Sequence, residues 1–212
     1  MLQITQPEYL TVMHAGDRTK EAIDAGGVLP GYAGVIVRDG YAGYDHLADA
    51  LHAWCGAHNL RDLKDLYTAD PDGQLWARSM ADLLIDANAT ATAARSAGRG
   101  SLGDADLAHI RCWYRGAVAK GIADNQGNRT QIGKDGLRLA RRFRDHEDMI
   151  LRFATNLAVG FTSNRCVMRS VEDVSPGASA DENDHCLIGT CSLTPGWAWK
   201  RWQREEGLRP SV

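Results

Sequence analysis

The chain is predicted to be an α/β protein, with short strands confined to its first 60 residues and helices from there to about residue 157. Three observations lead to this. Gly34-Val-Ile-Val37 is a short apolar run closed by Arg38-Asp39-Gly40, the pattern of a strand buried on both faces of a sheet. Leu51 to Cys55 is a second such segment. From residue 60 onward the apolar residues recur at helical spacing instead, the mark of amphipathic helices.

Taken in order, Tyr9-Leu-Thr-Val-Met13 is rich in strand formers. After a turn at His14-Ala-Gly16, Asp17 to Ala25 reads as a short helix with Asp17 as candidate N-cap and Gly26-Gly27 as its stop. Val28-Leu-Pro-Gly31 is a turn before the first apolar strand. Leu51–Cys55 leads through Gly56-Ala-His58 into a helix expected to start at Asn59, with Leu60, Leu63 and Tyr67 on one face. Trp76, Met80, Leu83, Leu84, Ala87, Ala91 and Ala94 define a long amphipathic helix, ended by Gly98-Arg-Gly100-Ser101. Leu107, Ile110, Tyr114 and Ala117 form a second stripe. Asn125 to Gly136 holds three glycines among polar residues and reads as a loop. Leu139, Phe143, Ile150, Phe153 and Leu157 predict a third long helix, with Arg138, Arg141, Arg142, Arg144 and Arg152 on its other face. Beyond Asn164 no period holds, so residues 165–212 are expected to be an irregular, weakly structured tail. Three of the six tryptophans, Trp197, Trp199 and Trp202, crowd into that tail.

Composition excludes several classes. A formal net charge of −3 rules out a uniformly basic binder, though not a local basic groove. No apolar run of about 18 residues predicts a membrane span. Met1 to Glu8 is polar, unlike a signal peptide. The five cysteines are odd in number and irregular in spacing, which suits a reduced, cytoplasmic chain. His185, Cys186 and Cys191 match no common zinc pattern. Phosphate-loop, dinucleotide-fold, nucleophile-elbow and zinc-protease motifs are absent, so no small-molecule cofactor is expected.

Three groups remain as candidates for chemistry. Asp39 follows a buried strand, at the sheet edge where α/β proteins place ligands, and suits a hard divalent ion. Gly40 beside it would permit a tight turn, and Asp39-Gly40 also reads as a plain turn signal. Cys55 and His58 are either a nucleophile or ligand pair or a structural couple with Cys55 as a small buried hydrophobe. Arg138, Arg141, Arg142 and Arg144 suit phosphate oxygens, or else form a solvated face balanced by Asp145, Glu147 and Asp148.

The segment Glu21-Ala-Ile-Asp-Ala-Gly-Gly-Val-Leu-Pro-Gly-Tyr-Ala-Gly-Val-Ile-Val-Arg-Asp-Gly-Tyr-Ala-Gly-Tyr44 resembles the central catalytic segment of the insertion sequence 66 family of transposases. Trp54-Cys-Gly-Ala-His-Asn-Leu-Arg-Asp-Leu63 is similar to that family's "Cys-x-Ala-His-x-Leu-Arg-(Glu/Asp)-Leu" motif. Arg144-Asp-His-Glu-Asp-Met-Ile-Leu-Arg-Phe153 and Val159-Gly-Phe-Thr-Ser-Asn164 look like its late helix and the approach to its last acidic residue. These motifs span roughly residues 9–164 in the family's order.

The resemblance implies a partial RNase H-like core with a mixed sheet at 1–60 and a large helical insertion at 61–136. It implies a late core helix at 137–164, followed by an aberrant tail at 165–212. It implies DNA transposition by metal-dependent phosphodiester cleavage and strand transfer, with three carboxylates holding Mg²⁺ or Mn²⁺. Asp39 carries over as the second acid and metal ligand, and Gly40, Cys55 and His58 as motif support, while Arg138, Arg141, Arg142 and Arg144 remain candidate DNA contacts on the strength of their own clustering. The family's first acid lies in an "Asp-Glu-Thr" strand upstream of Met1, and the position of its last glutamate falls on Val167. Asp45, Asp49 and Glu172 do not stand where the motif places the lost acids. The expectation is therefore a transposase fragment, truncated before Met1 and frameshifted after Asn164, catalytically incompetent alone. The alternatives are a non-catalytic DNA-binding or regulatory remnant and a non-functional product. Its expected partners are transposon-end DNA and an intact transposase protomer. Its expected place is the bacterial cytoplasm, at the nucleoid when DNA-bound, and not a membrane.

Overall fold

A computed structural model describes residues 2–5, 10–13 and 19–163. The chain is α/β with a helical majority. Strands β1 (Leu2–Thr5) and β2 (Leu10–Met13) form an antiparallel pair. Strands β3 (Val35–Arg38) and β4 (Leu51–Trp54) form a separate parallel pair, in register from Val35 opposite Leu51 to Arg38 opposite Trp54. Both apolar runs are thus strands. On β3, Ile36 and Arg38 are buried while Val35 and Val37 are only half-covered, so burial on both faces is incomplete.

Helix α1 (Lys20–Ala25) precedes β3, and Thr19 caps it by accepting from Ala22 N at 3.2 Å. The expected N-cap, Asp17, lies outside the described residues. The side-chain oxygen of Thr19 satisfies a first-turn N–H that has no partner inside the helix. Ile23, Leu29, Ile36, Tyr44, Leu47 and Ala50 form a small core that joins α1, β3 and the crossover to β4.

Four long helices follow: α2 (Gly56–Ala69), α3 (Leu75–Ser96), α4 (Asp104–Asn125) and α5 (Gln131–Asp145). Each packs against the next, and α2 also meets α5. The α3 stripe is buried as its spacing predicts, apart from half-covered Leu83. Helix α2 begins at Gly56 rather than Asn59, with Cys55 in extended conformation at its N-cap.

Helix α5 starts inside the stretch expected to be a loop. Thr130 Oγ1 caps it by accepting from Gly133 N at 3.0 Å. Two of the glycines that suggested a loop are close-approach positions instead. A Cβ on Gly133 would collide with the Asn128 side chain, and one on Gly136 would meet Gln74 Oε1 and Asn125 Oδ1 at 2.7 Å. The expected single late helix is also broken. The chain leaves helical geometry at His146 and Leu151, giving two short helices, α6 (Glu147–Ile150) and α7 (Arg152–Thr155). Ile150, Leu151, Phe153 and Leu157 are nevertheless all buried in the core. The tail expected at 165–212 lies outside the described residues.

Candidate functional site

The parallel pair ends at a corner where β3 runs into Asp39 and β4 runs into Cys55. Arg38 organises the first half of that corner. Its guanidinium is buried, and burying a charge is costly unless it is fully hydrogen-bonded. Nε donates to His52 Nδ1 at 2.9 Å, and one terminal nitrogen donates to the carbonyls of Asp39 (3.1 Å) and Tyr41 (2.9 Å). The other pairs with Asp45 Oδ1 at 2.5 Å. Since His52 accepts through Nδ1, its proton lies on Nε2, which donates to the Leu47 carbonyl at 3.1 Å. Arg152 Nε holds the His52 carbonyl at 2.8 Å. This network fixes the backbone on both sides of Asp39. Sequence reasoning passed over Arg38 and His52, because their importance lies in partners brought together by the strand register.

Asp39 is half-buried, and its Oδ1 accepts from Tyr41 N at 3.2 Å. Gly40 lies in a bend after the strand. It lies outside the left-handed region, and an added Cβ would only touch the Trp54 ring, at 3.7 Å. Asp45 is occupied by Arg38, and Glu172 lies outside the described residues.

Cys55 is 1% exposed. Its Sγ lies 3.4 Å from Thr162 Oγ1 and accepts from Ser163 N at 3.4 Å. Burial is the largest single influence on the thiol and pushes its pKa up. His58, Ser163 and Thr162 together outweigh it and bring the thiol down to about 6. Cys55 in turn raises the pKa of His58, with Asp39 adding to the effect and Arg61 opposing it. His58 Nδ1 is buried without a hydrogen-bond partner among the described residues, while hydrogen bonding to Cys55 is the strongest influence on the His58 pKa. The structure thus groups Asp39, Cys55 and His58 electrostatically, although three-residue spacing gave no reason to expect it.

The four arginines do not act alike. Arg142 turns inward, with Nη2 on Asp62 Oδ2 at 2.5 Å and its guanidinium 5.3 Å from the Trp54 ring centroid. The Trp54 ring also packs against His146, their centroids 4.5 Å apart and their planes tilted by 32°. Arg138 and Arg144 are exposed and pair with Asp135 and Asp145 on their own helix, and Arg141 is exposed beside them. A groove of about 480 Å³ between α2 and α5 is lined by Asp62, Asp65, Asp135, Arg138 and Arg142 among others, so its charge is mixed.

Among the described residues no group of three or more His, Cys, Asp or Glu side chains is arranged to hold a metal ion. No helix among them is long and apolar enough to cross a membrane. Comparison with known proteins finds no match among curated proteins or solved structures. The family model described as "Transposase IS66 family" does match, over residues 2–169.

Proposed function

As this chain belongs to the IS66 family of transposases, we propose that it is a DDE-type fragment whose partner is transposon-end DNA and whose retained carboxylate is Asp39. The observation that carries this reading is the placement of Asp39. It stands at the C-terminal end of β3 with its backbone held by the buried Arg38, within the span matched by the family model. An RNase H-like core is the fold this reading calls for. It is supported by an antiparallel pair followed by a helix and a parallel pair ending in an acid.

Mg²⁺ or Mn²⁺ is the cofactor the family resemblance implies. In-line phosphodiester displacement by that chemistry needs several carboxylates to clamp two ions. The described residues do not fit such a site: among them no group of three or more His, Cys, Asp or Glu side chains is arranged to hold a metal ion. The sequence contains no "Asp-Glu-Thr" segment, and Val167 stands at the glutamate position. These 212 residues by themselves are accordingly proposed to be catalytically incompetent, working at most on DNA in the cytoplasm or beside an intact protomer.

The test is Mg²⁺- or Mn²⁺-dependent cleavage or joining of matched terminal-repeat DNA by the purified chain. No product is expected. Robust activity that disappears in Asp39→Ala would overturn the incompetence. A non-catalytic DNA-binding role is the second reading, favoured by the exposure of Arg138, Arg141 and Arg144 on α5.

A further inference from the structure

The residues that lead from α7 to Ser163 are tied down step by step. Leu157 N donates to the Gly100 carbonyl at 3.1 Å. Arg95 holds the carbonyls of Leu157 (2.7 Å) and Val159 (3.2 Å). Gly56 N, the first N–H of α2, donates to the Phe161 carbonyl at 2.7 Å. The Phe161 ring sits so close to Gly56 that an added Cβ would overlap it, and its other side meets Phe153 edge-on at 4.8 Å. The last step is made by sulfur: Cys55 Sγ accepts from Ser163 N and contacts Thr162 Oγ1. The element that receives this segment is thus the corner that carries Asp39 and His58.

A buried free cysteine is ordinarily a small hydrophobe. Its surroundings here are of another kind. A backbone N–H, a hydroxyl and an imidazole converge on the sulfur, and the interactions that lower its pKa outweigh its burial. An acceptor suits that environment and a methyl group does not.

We propose that Cys55 is a positioning residue. Its sulfur latches the Thr162–Ser163 backbone to the N-terminus of α2, setting where the chain leaves the corner that holds Asp39. This rests on the reading of Asp39 as the site carboxylate only for its purpose; the latch itself is a property of the folded chain.

The two views of Cys55 predict opposite orders of substitution. A hydrophobe is replaced well by alanine and badly by serine. An acceptor is replaced badly by alanine and better by serine. Amide hydrogen exchange at Ser163 in the full chain reads the difference, with α4 amides as the control for global folding. Cys55→Ala is expected to speed Ser163 exchange about tenfold or more, the equivalent of one hydrogen bond, with α4 unchanged. Cys55→Ser should restore most of the protection. Unchanged exchange in Cys55→Ala, or equal loss in both variants, would overturn the latch. Should Cys55→Ala not fold, Ser163→Pro deletes the donor and leaves Cys55 in place. It is then expected to speed alkylation of Cys55 by iodoacetamide, and an unchanged rate would overturn the proposal. Neither readout requires DNA or metal, so failure of the transposase reading and failure of the latch are separately visible.

Discussion

Two side chains at the β3–β4 corner have properties their own chemistry does not determine. Cys55 carries a thiol held at about 6 against the upward push of its burial. The difference in thiolate absorbance between the native protein and Cys55→Ser should therefore rise with a midpoint near pH 6. His58→Ala should move that midpoint upward. The linkage has a definite sign. A thiol depressed in the folded state from 9.0 stabilises the protein above that unfolded value, and the contribution is lost as pH falls through about 6. His58, raised in the folded state, contributes fully below its unfolded value of 6.5 and loses its effect as pH rises through its higher folded value. Urea melts of the native protein and Cys55→Ser should converge as pH drops from 9 to 6. Arg38 is the second case. Lysine cannot reproduce its fork of donors, so Arg38→Lys should lower stability by about 2 kcal/mol or more, the scale of charged hydrogen bonds removed from the interior. Chemical denaturation measures it. Asp39 was legible from the strand that precedes it. Arg38 was not, because its value depends on His52 and Asp45, which only the β3–β4 register brings within reach.

At the scale of elements, glycine shows why some boundaries were missed. In α4, Gly116 is exposed with nothing within 4 Å of an added Cβ, whereas Gly121 would place one 2.5 Å from the buried Trp76 ring. Gly116→Ala should raise stability by up to about 1 kcal/mol, through helix propensity alone. Gly121→Ala should lower it by about 1–3 kcal/mol, through overpacking against a ring that has no room to move. Thermal melts of the two variants should shift in opposite directions. Gly136 belongs to the second kind. It lies against the buried pair of Gln74 and Asn125, where Asn125 Oδ1 accepts from Gln74 Nε2 at 2.7 Å and Trp76 Nε1 donates to Gln74 Oε1 at 2.8 Å. This network joins the ends of α3 and α4 beneath α5. A single sequence reads such a glycine as a loop residue, since the side chains that exclude a Cβ there, Asn125 and Gln74, lie 11 and 62 positions away along the chain. The apolar stripes of α3 and α4 were legible because their signal is local and periodic.

For the whole molecule, the question is which arginines remain available to DNA. Arg142 bridges α5 to α2 and β4 through Asp62 and Trp54. Its replacement by alanine should lower stability, read by denaturation, more than it alters the salt dependence of DNA binding. Joint replacement of Arg138, Arg141 and Arg144 by alanine should do the reverse. Binding by the native chain should weaken as salt rises, and the triple variant should flatten that slope by about 2–3 units, near one for each phosphate no longer neutralised. Fluorescence anisotropy with terminal-repeat DNA at several salt concentrations measures it. A slope unchanged in the triple variant would place DNA elsewhere on the chain.

The sequence by itself determined the α/β class, the two apolar strands, helices α2 to α4 and the family, because each rests on local periodicity or on motifs written contiguously. The tertiary structure decided which polar side chains share an environment. It joined Cys55 to Ser163 and Thr162 across more than a hundred residues, set Arg38 on His52, and turned Arg142 away from its neighbours. The physical reason is range. Helical and strand patterning is set by residues a few positions apart. Desolvation, charge pairing and close packing depend on distances through space, which no spacing along the chain encodes.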